Sequence, residues 1–568
     1  MYKLNGLFLI LALQLFPAGW LVAQEDTDHN EQVTIIGSID PSINEAYKIS
    51  QRPQAQQISL SHPDFTYDYS DKQAATRITL EPITPANINV DKRKKYYNNL
   101  LVAGVGSLFS PYLNFLHSSG SRNSYRFTTQ LYHMSAFRNI PDYTNPYTNT
   151  SALIKYEKFA GNHIITTGLK YQLNTNRFYG YNEQDYAPLD NDSLKQMFNL
   201  IKGSVALKSN YRNNKKLIHT INLSGYYYFD KYKTSETNAR LSLNLYKSFD
   251  VTKKLNYQYL GVAGNFDFYN YKHAISTNEF TLSVVPYFKA RFGIINFKIG
   301  LNFSYLQADG GSLHFYPDVD ATVELIPDAL TVYAGINGEL EKNSFYQLSQ
   351  INPYVISDIK TKWKNNKFVP YFGVRGNIGK KLGYNIEGGW NKFEDEYFFV
   401  NTFFTTPIHS VTETPINKFE TIYDNGSVWH IGAELNYTYD TKFKTWLKFR
   451  YNGYSLDSLP EPYHKPITEV KFGASYLIKE VNVWTEIYYS GKRYAYDQRT
   501  GINGNFTSIG NIQTLDAIVD INLGVDYQIK DNLSIFLKVT NLLNYNYEIY
   551  YQYPTQGINI MAGIRYKF

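Results

Sequence analysis

The sequence 557-GINIMAGIRYKF-568 decides the fold, because two kinds of side chain alternate along it. Its even positions are Ile, Ile, Ala, Ile, Tyr and Phe, whereas its odd positions include Asn, Arg and Lys. A period of two is that of a β-strand with two different faces. Residues 533–540 alternate in the same way. The two segments therefore predict a hairpin, and we expect Tyr566 and Phe568 to mark the strand that closes a larger sheet.

Tyrosine is unusually frequent: 53 of the 568 residues are Tyr, and aromatic residues make up 17% of the chain. A Tyr ring, with an apolar body and a polar tip, suits the boundary between lipid and water. Beyond residue 23 there is no run of about 20 apolar residues, which a membrane-spanning helix would need. Apolar residues instead alternate with polar ones, as in a transmembrane β-barrel. The net charge of +6 favours no nucleic-acid partner, and the absence of Cys excludes a disulfide framework.

Three segments differ in composition. Residues 1–23 predict a secretory signal peptide, with Lys3 at its start and an apolar run before Ala23. Residues 24–96 are polar and interrupted by Pro, so we expect an extended arm rather than a domain with its own core. Residues 97–568 hold the alternating segments.

Links of two lengths join the alternating segments. Short polar turns fall near residues 213–216, 250–254, 291–293, 327–328, 379–381, 440–442, 479–480 and 530–532, and long links span 174–197, 343–367, 398–426, 455–465 and 494–513. Along the second half of the chain short and long links alternate strictly, which predicts that they lie on opposite rims of an up-and-down barrel. A soluble β-sandwich has alternating strands but no reason to sort its loops in this way. The prediction is an all-β fold, a transmembrane antiparallel up-and-down β-barrel of about 22 strands, with a range of roughly 20–24.

The carboxyl end also carries a recognisable run. Residues 541–547 read NLLNYNY and are followed by Tyr553-Pro554, Gly557 and Phe568. This arrangement resembles the closing hairpin of TonB-dependent outer-membrane receptors. Leu348 with Asn352-Pro353 is similar to a second element of those barrels.

The amino-terminal arm contains a further point of similarity. Val33, Thr34, Ile35, Ile36 and Gly37 look like the short motif through which such receptors bind TonB. The family also has a folded plug between this motif and the barrel, and residues 39–96 are too short and too polar for one. The Tyr- and Asn-rich composition is similar to the plug-poor, receptor-like barrels of Bacteroidetes.

Charged residues on the polar faces of the strands are the candidate solute contacts. They are Arg375, Glu434, Arg450, Asp520 and Asp526. The alternative is a wet lumen whose charges pair across neighbouring strands. Their signs are mixed, so they predict no selection of anions over cations.

Three aromatic clusters lie near the long links: residues 226–229, 397–399 and 403–404. We expect them to form the external interfacial belt, and the alternative is that they stack on a ligand. The sequence holds no HxH, HExxH or GxSxG motif, so it predicts no catalytic residue, metal or cofactor, and no enzymatic activity.

The combined prediction is a barrel in the outer membrane of a Gram-negative cell that mediates binding or passage of a solute. A more specific form of this prediction adds coupling to TonB. The alternatives are a passive porin-like channel and a structural barrel subunit of an envelope complex. The expected partners are outer-membrane lipid, the barrel assembly machinery and TonB. The sequence names no ligand.

Overall fold

A computed structural model describes residues 96–568 apart from 121–123, 138–145, 181–190, 212–214, 274–275, 309, 406–414 and 498–510, and apart from the side chains of 191, 193, 402–405, 415 and 416. The predicted signal peptide, the arm up to residue 95 and the segment Val33 to Gly37 lie outside the described residues.

Within the described residues, strands occupy most of the chain and two short helices interrupt it. The strands are β1 (Asn99–Gly106), β2 (Ser110–Ser118), β3 (Tyr125–Ala136), β4 (Tyr147–Ala160), β5 (His163–Arg177), β6 (Lys195–Ser209), β7 (Ile218–Asp230), β8 (Ser235–Ser248), β9 (Asn256–Lys272), β10 (Ser276–Phe292), β11 (Ile295–Gln307), β12 (Gly311–Ile326), β13 (Leu330–Asn343), β14 (Lys362–Ile378), β15 (Leu382–Thr405), β16 (Pro415–Tyr439), β17 (Phe443–Leu456), β18 (Thr468–Ile478), β19 (Val481–Ser490), β20 (Arg493–Asp497), β21 (Asn511–Leu515), β22 (Ile518–Lys530), β23 (Leu533–Thr540), β24 (Glu548–Tyr550), β25 (Tyr553–Pro554) and β26 (Asn559–Lys567). The helices are α1 (Asn191–Leu194) and α2 (Phe345–Ile351).

The strands form one closed antiparallel barrel of 22 strands. Strands β1 to β19 follow each other around the ring and are continued by β22, β23 and β26, and β26 pairs with β1 to close it. β20 and β21 form a hairpin beside the ring, touching β15 through the pair Asn401 and Asp497. The predicted fold class and strand number are therefore confirmed.

The two faces of the wall differ as the alternation predicts. Large apolar side chains on the outer face are exposed, among them Leu169, Leu223, Phe372, Ile431 and Ile564. Lipid leaves no partner for the open edge of a sheet, so a β-sheet crosses a membrane as a closed barrel with such an outer face. This architecture places the chain in a Gram-negative outer membrane. Among the described residues, no helix is long and apolar enough to span a bilayer.

The two rims of the barrel carry different connections. Asn99 and Phe568 lie side by side at one rim, where the Asn99 N–H donates to the Phe568 carbonyl at 2.9 Å. We call it the turn rim, because every connection that returns to it is short. The opposite rim, the loop rim, carries the long connections 178–194, 344–361, 457–467, 491–517 and 541–558. From β13 onward the predicted sorting of short and long links is confirmed, whereas earlier connections at the loop rim, such as 231–234 and 308–310, are short, so the strict alternation does not extend over the whole second half of the chain.

One predicted long link is largely strand. β15 and β16 stay paired from Leu382 with Tyr437 up to Thr405 with Pro415, so most of residues 398–426 continues the ladder. Loop 457–467 covers this extension, because Phe398, Val400 and Tyr463 form a buried cluster there. The prediction of a loop was wrong at this position because the aromatic residues pack on protein and thereby sustain the strand pairing.

Candidate functional site

Residues 344–361, here called the inner loop, fold into a short helix and an extended segment. Ser344 accepts a hydrogen bond from the Gln347 N–H at 3.2 Å and so caps the start of α2. The helix ends at Ile351 and is capped by Asn352, and Pro353 cannot continue it. Phe345 and Leu348 on one face of α2 are fully buried, so the helix is held by packing.

The buried face of α2 packs on the inner wall of the barrel. The Phe345 ring lies 5.4 Å from the Tyr228 ring and 5.9 Å from the Tyr271 ring, measured between centroids. The hydroxyls of Tyr228 and Ser349 are 2.6 Å apart and hydrogen-bonded. Tyr228 on β7 and Tyr271 on β9 thus form an aromatic surface on which the helix packs.

A carboxylate of the wall holds the amino terminus of α2. Glu236 on β8 is 1% exposed and accepts the N–H of Phe345 at 2.7 Å and the N–H of Tyr346 at 3.3 Å. It also accepts the hydroxyl of Tyr226 at 2.6 Å. The first N–H groups of a helix have no partner within it, and a negative charge at that end is favourable. Glu236 therefore fixes the inner loop at a specific place on the wall.

The far end of the inner loop is bonded to β16. Val355 pairs with Phe419 as an isolated parallel bridge, the Ile356 N–H donates to the Phe419 carbonyl at 2.8 Å, and Thr421 donates to the Lys360 carbonyl at 2.7 Å. β8 and β16 are far apart around the ring. The inner loop therefore joins two distant parts of the wall and obstructs the loop-rim end of the lumen.

Residues 541–558, here called the tyrosine loop, pack on the inner loop. The Tyr553 ring stacks on the Tyr354 ring at 3.9 Å and 22°, and its hydroxyl donates to the Asn417 carbonyl. Tyr550 donates to the Ile351 carbonyl at 2.5 Å, directly at the end of α2. The two loops form one buried aromatic cluster with Tyr179, Phe399 and Phe419.

Two side chains fasten the tyrosine loop to other loop-rim segments. Arg493 on β20 is 3% exposed and donates to the carbonyls of Ile549 at 2.7 Å and Glu548 at 2.6 Å. His464 lies 3.0 Å from the Phe399 carbonyl through Nδ1, and its Nε2 accepts the Tyr551 N–H at 3.3 Å. Because a carbonyl only accepts, Nδ1 carries the proton and the ring is neutral. Burial lowers the pKa of His464 to about 3, helped by the charge of Arg493.

We expect acid to loosen this contact. With the tyrosine loop docked, the pKa of His464 is about 3, below its ordinary value of 6.5. His464 therefore binds a proton more readily when the tyrosine loop is released than when it is docked. Docking is fully stable above pH 6.5 and weakens as pH falls from there toward 3, by about 1.4 kcal/mol per pH unit. Since the chain has no Cys, a single spin label at Leu543→Cys can report loop mobility between pH 7 and pH 5.

The control for this experiment is His464→Gln, which is uncharged at every pH. Label mobility in that variant should not depend on pH over the same range. An equal pH response in both proteins would show that another group controls the tyrosine loop.

The sequence-predicted lumen residues lie on different strands rather than in one site. Arg375 lies over the Tyr333 ring at 5.4 Å, and Arg450 donates to the Asn452 side chain at 3.1 Å. Glu434 pairs with Lys448, which is directly opposite on β17, at 3.0 Å. The remaining two contacts are Asp520 with the Tyr547 hydroxyl at 2.8 Å and Asp526 with Arg565 at 3.1 Å.

Asp520 is the member of this set that touches the tyrosine loop, through Tyr547. Tyr566 on β26 and Phe568, directly after the strand, are exposed, and their rings lie 5.2 Å apart and nearly parallel. Among the described residues, no group of three His, Cys, Asp or Glu is placed to hold a metal ion.

The predicted aromatic belt is only partly correct. Tyr227 is exposed on the outer face, but Tyr228, Phe398 and Phe399 are buried against loop-rim segments. For Tyr227 and Tyr228 the reason is the alternation itself, since neighbouring residues of a strand point to opposite faces. Phe398 and Phe399 also point to opposite faces of β15, but each belongs to a separate buried cluster, so both are covered. The side chains of Phe403 and Phe404 lie outside the described residues.

Glu236, Arg493 and His464 were not among the sequence-based candidates. The inner loop did carry a local signal, because Ser344 and Gln347 have the S-x-x-Q spacing of a capping box and Asn352-Pro353 ends the helix. Nothing in the sequence links this helix to Glu236, which lies more than a hundred residues earlier.

Solved structures similar to this chain include outer-membrane receptors and transporters. The pyoverdine outer membrane receptor FpvA from Pseudomonas aeruginosa PAO1 is 13% identical at a TM-score of 0.61, with 84% of this chain and 79% of that chain covered. The FrpB iron transporter from Neisseria meningitidis is 14% identical at a TM-score of 0.60, with 84% and 82% covered. The ferric-catecholate import receptor Fiu from E. coli K12 is 10% identical at a TM-score of 0.58, with 83% and 82% covered. At such identities the likeness shows the fold.

No protein-family model and no curated protein sequence matches the chain.

Proposed function

We propose that the chain is a TonB-linked outer-membrane receptor that binds a solute at the loop rim and passes it through the barrel, without catalysing a reaction. The observation that carries the proposal is the inner loop, which is anchored to β8 at one end and to β16 at the other. A loop anchored in this way narrows the path through the lumen, and in the proposed mechanism the solute passes when the loop moves. The receptor-type folds of FpvA, FrpB and Fiu support the same proposal.

TonB would drive that movement after binding the segment from Val33 to Gly37. The segment reads Val-Thr-Ile-Ile-Gly, and β-branched residues favour an extended strand that pairs with a partner by main-chain hydrogen bonds. Residues 39–96 would then act as a tether rather than as a full plug, as in the plug-poor barrels that the sequence resembles. Lipid would contact the outer face, and the barrel assembly machinery would recognise the strand that carries Tyr566 and Phe568.

Deletion of residues 30–40 should remove TonB binding and leave the barrel folded. The purified periplasmic domain of TonB should retain the full chain in a pull-down and lose the deletion variant by at least tenfold, because the pairing strand is absent. Heat-modifiable migration on gels should stay unchanged. A deletion of equal length at residues 54–64 is the matched control and should keep the interaction.

Equal retention of TonB by both deletion variants would contradict the TonB-linked proposal. A large steady conductance of the intact protein in planar bilayers would instead support a passive channel. A stoichiometric envelope partner that copurifies without any solute uptake would support a structural role.

A further inference from the structure

Two lysines face each other directly on the inner wall of the barrel. Lys170 on β5 and Lys202 on β6 are register partners. Their neighbours Leu169 and Ile201 are exposed on the outer face, so the two lysines point into the lumen. Directly opposed residues have Cβ atoms about 5 Å apart, and like charges at that distance destabilise a sheet. The pair therefore costs stability unless a negative group lies beside it.

Within the described residues, neither Lys170 nor Lys202 has a carboxylate partner. Other lysines of the inner wall do have one: Lys298 pairs with Asp318, Lys364 pairs with Glu396 at 2.6 Å, and Lys448 pairs with Glu434 at 3.0 Å. Of these lysines, Lys448 has the geometry most similar to that of Lys170 and Lys202. It directly opposes Lys471, yet Glu434 compensates its charge.

Further groups near the pair are a guanidinium that already has a carboxylate partner and a hydroxyl group. The positive charge of Arg240 on β8 repels that of Lys202. Asp267 forms an ion pair with Arg240 and not with Lys202. Beside Lys170 on the same face, Gly168 has no side chain, and a Cβ there would lie 3.0 Å from the Ser204 hydroxyl. The wall thus offers two ammonium groups and a neighbouring hydroxyl.

The lysine pair lies immediately below the inner loop. Gln172, the next lumen-facing residue after Lys170, donates to the Gln350 side chain of α2 at 3.3 Å. Leu200, the corresponding residue on β6, belongs to the buried cluster under α2. A solute that passes the inner loop on this side would meet Lys170 and Lys202 next.

We propose that Lys170 and Lys202 form a binding site for an oxyanion, a carboxylate or phosphate group of the transported solute. Two ammonium groups facing one cavity can both donate to the oxygens of a single anion, and the anion removes their mutual repulsion. The inference deepens the proposed function by naming a chemical class for the solute. Its test measures equilibrium binding, so it can fail or succeed independently of TonB coupling.

The experiment is titration calorimetry of the purified full-length chain in detergent, with citrate and inorganic phosphate as probes. We expect saturable binding of at least one probe that weakens as ionic strength rises. Lys170→Gln and Lys202→Gln should each weaken binding at least tenfold, whereas Lys170→Arg should retain it. Lys448→Gln is the matched control, since it makes the same change at an inner-wall lysine that already has a carboxylate partner, and it should bind as the unchanged protein does.

Thermal unfolding without any anion provides the second readout. Lys202→Gln should unfold at the same or a higher temperature than the unchanged protein, because it removes an uncompensated repulsion. A lower unfolding temperature would mean that the chain already neutralises the pair and would overturn the proposal. Absence of saturable binding to the unchanged protein, or equal binding to Lys170→Gln and Lys448→Gln, would also overturn it.

Discussion

Replacing Glu236 by Ala is expected to release the inner loop from the barrel wall. The carboxylate accepts two helix N–H groups and one Tyr hydroxyl at a site that is 1% exposed. Removing it leaves these donors buried without a partner, at a cost of about 1–3 kcal/mol each. We expect docking of the inner loop to weaken by at least about 3 kcal/mol in total. A spin label at Ile351→Cys should change from an immobilised to a mobile spectrum, and bilayer conductance should rise.

The size of the effect can be graded with related variants. Glu236→Gln keeps an acceptor oxygen without the charge and should fall between the unchanged protein and Glu236→Ala. Tyr226→Phe removes one donor and leaves the two bonds to α2, so its label should stay immobilised. Glu434→Ala is the control for loss of an inner-wall carboxylate, because Glu434 pairs with Lys448 and not with a loop. An immobilised label in Glu236→Ala would show that aromatic packing alone holds the loop.

The barrel could be predicted from sequence because the alternation of apolar and polar residues along each strand shows which face meets lipid and which faces the lumen. Trp429, Ile431, Ala433 and Leu435 alternate with His430, Gly432, Glu434 and Asn436 along β16, and this pattern requires one lipid-compatible and one polar face. Most strands pair with their neighbour in the chain, so the topology follows from order alone except at β19 and β23, where the ladder skips to β22 and to β26.

The closure of the loop rim could not be predicted in the same way. An inward-facing residue of a barrel strand has the same sequence signal whether it faces water or a docked loop. Tyr228 and Phe399 illustrate this, because the sequence favours a lipid-facing belt and the structure buries both against loops. In the sequence, Glu236 is indistinguishable from the other charged residues on the inner faces of the strands. Only its contact with α2 in the structure sets it apart. Candidate residues chosen for charge therefore missed the groups that hold the loops.

Pairing across strands was the part of the lumen chemistry that alternation did anticipate. Glu434 and Lys448 sit opposite each other on neighbouring strands. Asp526 reaches Arg565 across the intervening strand β23 at 3.1 Å. Neither pair depends on a loop, and so the strand order alone brings the charges together.

Replacing Gly563 by Val is expected to prevent closure of the barrel. Gly563 on β26 is the register partner of Gly104 on β1, in the middle of the seam. Phe536 on β23 lies over both glycines on the inner face. A Cβ at Gly563 would overlap the carbonyl oxygen of Ala103 and the Phe536 ring, and a backbone atom in a ladder cannot move aside as a side chain can. An open seam leaves unpaired N–H and C=O groups in lipid, each costing several kcal/mol.

The matched control for this seam variant is Gly203→Val, because a Cβ at Gly203 meets nothing within 4 Å. Refolding each variant into detergent or lipid and scoring heat-modifiable migration should give little folded barrel for Gly563→Val and the normal amount for Gly203→Val. Adding Phe536→Ala to Gly563→Val removes the ring but leaves the Ala103 carbonyl, so it should not restore folding. Recovery in that double variant would mean that the ring, and not the backbone of the neighbouring strand, forces glycine at the seam.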